Sequence, residues 1–152
     1  PLFFSFLIRG TLLAARRRQA FCRYDMSRIL IFTSDMSTCN IVASAVADLA
    51  DETVRTTSMQ GVMQHVENED FSLIIMASTR SLATESRLDR TIGHLHRCGI
   101  PVFLILARLS EQRATRLLQC GVDQCMTFPI NLHRLRRKVH EQITGGNKAG
   151  RR

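Results

Sequence analysis

The sequence has no tryptophan, only three prolines and only two lysines in 152 residues. Its eight glycines and three prolines are too few for a fibrous or low-complexity chain. Long apolar runs are also missing. Leu2–Ile8, Phe71–Ala77 and Pro101–Ala107 span seven residues each, far short of the roughly 20 that a membrane helix needs. A helical membrane span is excluded. The five cysteines, Cys22, Cys39, Cys98, Cys120 and Cys125, include no C-x-x-C pair and are odd in number. That excludes a zinc knuckle and a fully paired disulfide framework, and leaves buried thiols in a reducing cytoplasm as the expectation. His94, His96 and Cys98 stand close in sequence, but neighbours two apart on a helix point to different faces. They read as helix surface, and no metal is expected.

What the chain does have is 45% hydrophobic residues and a formal charge of +8. The hydrophobic fraction is too high for disorder, and the length suits one domain with a single core. The charge lies at the ends. Residues 1–25 hold Arg9, Arg16, Arg17, Arg18 and Arg23 against Asp25 alone, and Lys148, Arg151 and Arg152 follow Gly146. Between residues 26 and 146 stand 13 basic and 12 acidic side chains. A nucleic-acid-binding fold is expected to carry its basic stripe on the folded body, so nucleic acid is not the first expectation. Residues 1–25 place an apolar run before their arginines, the reverse of a secretory signal. They read as an upstream extension outside the fold, with the domain at 26–144 and a flexible basic tail at 145–152.

Within the domain, short apolar runs alternate with helical patterns. Strands are expected near 29–33, 52–56, 71–77, 101–107 and 122–127. Ile29–Phe32, Phe71–Ala77 and Ile100–Leu106 lack polar alternation, as in strands buried on both faces, whereas Glu52–Thr56 has the polar tone of a less buried strand. Ser37 or Thr38 is expected to cap the first helix, whose stripe would be Ile41, Val42, Ala45, Val46 and Leu49. Val62, Met63 and Val66 mark the second helix, and Leu88, Ile92 and Leu95 the third. Gly99 stops that third helix, and Gly121 stops the fourth, over 111–120. Residues 78–84 read as a polar connection. Asn131 caps a last helix through Leu132, Leu135, Val139 and Ile143. Five β-α units predict a flavodoxin-like, doubly wound α/β domain: a five-stranded parallel sheet in the order 2-1-3-4-5, with helices on both faces. Its functional edge lies beyond the carboxyl ends of the strands.

The order and spacing of these elements resemble the receiver domains of bacterial response regulators, over residues 28–143. The phrases Arg28–Phe32, Gly99–Ala107, Leu117–Asp123 and Phe128-Pro129-Ile130 carry the resemblance. Receiver chemistry phosphorylates an aspartate on the third strand. It uses magnesium held by carboxylates, a Ser/Thr switch, an aromatic switch and a lysine. Mapped onto this sequence, the phosphoacceptor position falls on Ala77. The acidic pair falls on Thr33 and Ser34, with Asp35 the one carboxylate nearby. The Ser/Thr switch falls on Leu106, the aromatic switch on Cys125 and the lysine on Phe128. The chain's two lysines, Lys138 and Lys148, lie in the last helix and the tail. The resemblance therefore implies a pseudo-receiver: no catalysis, no metal and no cofactor. Ala77, Leu106 and Phe128 are expected to close the pocket with apolar contacts. It also implies a cis peptide before Pro129.

Three function classes remain. The first is a phosphorylation-independent protein-interaction or dimerisation module of a two-component-type pathway, using Arg113, Arg116, Leu118, Asp123, Arg134 and Lys138 as its face. The second is nucleic-acid binding through the basic last helix and the tails. The third is a small-molecule site of flavodoxin type at the hydroxyl-rich loop Thr33–Thr38.

Overall fold

The computed structural model describes residues 26–78 and 85–149. Five strands and five helices alternate along them: β1 (Arg28–Thr33), α1 (Met36–Val46), β2 (Glu52–Thr56), α2 (Met59–Asn68), β3 (Leu73–Ser78), α3 (Glu85–Arg97), β4 (Val102–Leu106), α4 (Glu111–Cys120), β5 (Gln124–Thr127) and α5 (Leu132–Ala149). All strand pairs are parallel, in the order β2-β1-β3-β4-β5. The doubly wound sheet expected from the alternation is the one found. The extension at 1–25, with Cys22, residues 79–84 of the expected connection and residues 150–152 of the tail lie outside the described residues. Ser78, expected to open that connection, instead ends β3.

The strand side chains sort by parity, as a pleat of period two requires. Leu30, Phe32, Ile74, Met76, Val102, Leu104 and Leu106 point into one core cluster, which also takes Val62 and Val66 of α2, Leu88, Ile92 and Leu95 of α3, and Leu117 of α4. Ile29, Ile31, Leu73, Ile75, Ala77, Phe103 and Ile105 point the other way, onto Cys39, Val42, Ala43 and Val46 of α1 and Leu135 and Val139 of α5. Burial of each large aliphatic side chain contributes about 1.5–3 kcal/mol, so the three central strands anchor the fold.

Local chemistry fixes the helix ends. Ser58, Ser110 and Asn131 accept hydrogen bonds from the amides of Gly61, Arg113 and Arg134. α3 and α4 close alike: Ile100 N–H donates to the Leu95 carbonyl and Val122 N–H to that of Leu117. Gly99 and Gly121 supply the positive φ between, 75° and 117°. A Cβ on Gly121 would meet the His96 ring at 2.5 Å.

Four expectations need correction. Asp35, rather than Ser37 or Thr38, caps α1, because its carboxylate reaches the Thr38 amide at 2.7 Å. The helix therefore starts earlier, and its buried stripe is Thr38, Cys39, Val42, Ala43 and Val46, while Ile41 is 51% exposed. Those small side chains let α1 approach the sheet closely. α5 continues to Ala149, beyond the boundary at 144. Gly145 and Gly146 weaken a helix by about 1 kcal/mol each but, unlike proline, do not block its hydrogen bonds. At its other end Leu132 is 39% exposed rather than part of the buried stripe.

Candidate functional site

The carboxyl edge of β1, β3, β4 and β5 gathers the positions that the receiver resemblance singles out, except Cys125, which lies opposite Leu104 in the middle of β4. Thr33 ends β1 opposite Ala77 of β3, and Ala77 has Ile105 of β4 on its other side. Ser78 stands beside Leu106. Leu106 pairs with Thr127 at the end of β5, and the Phe128 amide donates to the Leu106 carbonyl at 3.1 Å. The Phe128–Pro129 peptide is cis, as the resemblance implies.

The polar groups of this edge satisfy one another. Thr33, fully buried, donates from Oγ1 to the Asp35 carbonyl at 2.7 Å. Asp35 Oδ1 accepts from the Thr38 amide and Oδ2 from the Thr38 hydroxyl, at 2.7 and 2.8 Å. Ser78 Oγ donates to Ser34 Oγ at 3.2 Å. Among the described residues no buried side-chain polar atom lacks a partner. These residues do not fit magnesium. A hard dication wants several oxygens with carboxylate charge, whereas Asp35 is the one carboxylate here and both its oxygens already engage Thr38. No three His, Cys, Asp or Glu side chains among the described residues converge on a metal position.

The apolar positions divide between the two cores rather than forming one lid. Ala77 and Phe128 belong to the α1–α5 side, and Leu106 and Cys125 to the α2–α4 side. Residues of alternate parity on one sheet cannot share a face, so these side chains pack on opposite sides of the sheet. Burial pushes the Cys125 thiol above its ordinary range.

The expected interaction face is also divided. On α4, Leu118 is 49% exposed and sits about 100° round the helix from buried Leu117. Arg116 points to the opposite flank, where it meets Asp89 of α3 at 3.9 Å, and Arg113 lies on that same flank by helical period. Asp123 opens the turn into β5, at the amino edge of the sheet, where its carboxylate accepts from the Val102 amide at 2.9 Å. On α5, Arg134 and Lys138 lie on the flank toward β5, away from Arg136, and Lys138 meets Glu141 at 3.7 Å. Leu118, Arg134 and Lys138 thus flank β5, whereas Arg116 serves the α3–α4 contact and Asp123 holds the start of β4.

Two features escaped the sequence reading. Arg136 donates to both carboxylate oxygens of Asp48, at 2.6 and 2.9 Å, and to the Ala45 carbonyl, which ties α5 to α1. Nothing in the local pattern pairs residues 88 positions apart. His94 and Cys98, which the helix-surface reading separated, meet at 3.7 Å. Their four-residue spacing was the available signal.

No family model matches this sequence, and no curated protein matches it closely. Solved structures do resemble it. A response regulator receiver domain protein (CheY-like) from Methanospirillum hungatei JF-1 superposes with TM-score 0.70 at 19% identity, covering 82% of this chain and 98% of that one. A putative pilus assembly-related protein from Burkholderia pseudomallei K96243 gives TM-score 0.67 at 20% identity, covering 79% and 91%. An orphan response regulator of H. pylori gives 0.66 at 9% identity, covering 77% and 96%. The fold is that of receiver domains.

Proposed function

We propose that this domain is a non-catalytic receiver-like module of a two-component-type pathway, which acts by protein-protein contact without phosphorylation. The observation that carries the reading is the composition of the carboxyl edge. A methyl group, Ala77, stands at the acceptor position, hydrophobic side chains stand at the switch and lysine positions, and Asp35 is engaged in capping α1. Phosphorylation shifts a population only between states that contact the phosphoryl group differently. Without those contacts the binding state is constitutive. The flank of α4, β5 and α5 carrying Leu118, Arg134 and Lys138 is the surface we assign to binding. The free cysteines suit a reducing cytoplasm.

A second setting, pilus assembly, is favoured by the likeness to two Burkholderia proteins described as pilus assembly proteins. Mass spectrometry after incubation with acetyl phosphate and magnesium tests the reading. The expected mass is that of the unmodified chain. Stoichiometric phosphate incorporation, labile to hydroxylamine, would overturn it.

A further inference from the structure

We propose that copies of this chain associate head to tail, the acidic β2 side of one molecule seated on the basic β5–α5 side of the next. The proposal rests on the reading of the β5 flank as a contact surface, and names what covers it.

The near-neutral body conceals a separation of charge. Residues 26–78 carry seven carboxylates against Arg28 and Arg55, whereas residues 85–145 carry ten arginines and lysines against five carboxylates. The strand order β2-β1-β3-β4-β5 turns this division of the sequence into a division of space. Asp51, Glu52, Glu67 and Glu69 lie on β2 and about the ends of β2 and α2, toward one open edge of the sheet. Arg134, Arg137 and Lys138 lie on α5 toward the other.

Internal pairing leaves both signs in excess. On the acidic side one guanidinium, Arg28, serves two carboxylates, Glu52 at 2.8 Å and Glu69 at 2.9 Å. Asp51 accepts from Ser27 rather than from a cation, and Glu67 is exposed on the flank of α2 away from His65. On the basic side Arg134 and Arg137 are exposed on the outer face of α5, and Glu141 offsets only Lys138. A symmetric dimer through either edge would set like charges against each other. Head-to-tail packing opposes unlike charges, and as a heterologous contact it propagates into a ring or an open chain.

Analytical ultracentrifugation of the full chain at low salt tests this. The expected result is a weight-average mass that grows with concentration and falls to the monomer at 1 M salt, where the Debye length is about 3 Å. Glu52→Gln with Glu67→Gln, and separately Arg134→Gln with Arg137→Gln, should each weaken self-association at least tenfold while keeping the wild-type circular dichroism. Mixed in equal amounts, the two variants should form a complex that stops at two chains, since each retains one intact side. A wild-type monomer at low salt overturns the proposal, including one that binds random-sequence DNA instead. So does a mixture that restores nothing. An acidic-side variant that associates like wild type while the basic-side variant does not would also overturn it, but would leave the β5 flank standing as a symmetric contact surface.

Discussion

Asp35 commits one carboxylate oxygen to the Thr38 amide and the other to the Thr38 hydroxyl, so its work is to begin a helix. Asp35→Ala should therefore lower stability by about 1 kcal/mol, the usual cost of a lost N-cap. Urea denaturation should give the same difference with and without magnesium. Stabilisation of the wild type but not the variant by millimolar magnesium would contradict the capping role. At the opposite edge, hydrogen bonds from Arg28 and His65 hold the Glu69 carboxyl below its ordinary range. A depressed folded value stabilises the protein above the ordinary carboxylate range, and this contribution is lost as pH falls through the folded value. The thermal midpoint of the wild type should thus drop more steeply on acidification than that of Glu69→Gln. Parallel curves for the two proteins would assign the acid sensitivity elsewhere, with Asp48, held low by Arg136, the next carboxylate to change.

At the scale of elements, strands were more legible than helix faces. A doubly buried strand shows as a run of β-branched and aliphatic residues whatever its neighbours are, and Ile29–Phe32, Leu73–Ala77 and Val102–Leu106 lie where such runs stand. The faces of α1 were misread because Cys39 and Ala43 are small, and hydropathy ranks Ile41 above them. Contact with the sheet selects for close approach instead. Glycine stops were read correctly, since Gly99 and Gly121 adopt the positive φ that ends a helix at low steric cost. The weight of the central strands gives a quantitative expectation. Leu104, 1% exposed in the middle of β4, should cost about 2–5 kcal/mol when changed to Ala. A chemical-denaturation loss under 1 kcal/mol would mean that the α2–α4 core collapses around the cavity.

For the molecule as a whole, the sequence disclosed the carboxyl edge almost completely, because a parallel α/β fold sends the end of every strand to one place. What remained hidden depends on side-chain direction. Leu106 and Phe128 both stand at this edge, yet they belong to opposite cores. Arg116 and Asp123, grouped by element with Leu118, face α3 and β4 instead. The central claim is that binding through the β5 flank is independent of any phosphodonor. Its most direct test is analytical ultracentrifugation of the full chain at low salt, with and without acetyl phosphate and magnesium, in the wild type and in Leu118→Asp. We expect one association constant for the wild type under both conditions, weakened at least tenfold by the charge at position 118. A constant that shifts with the phosphodonor, or a Leu118→Asp chain that associates like the wild type, would contradict the account.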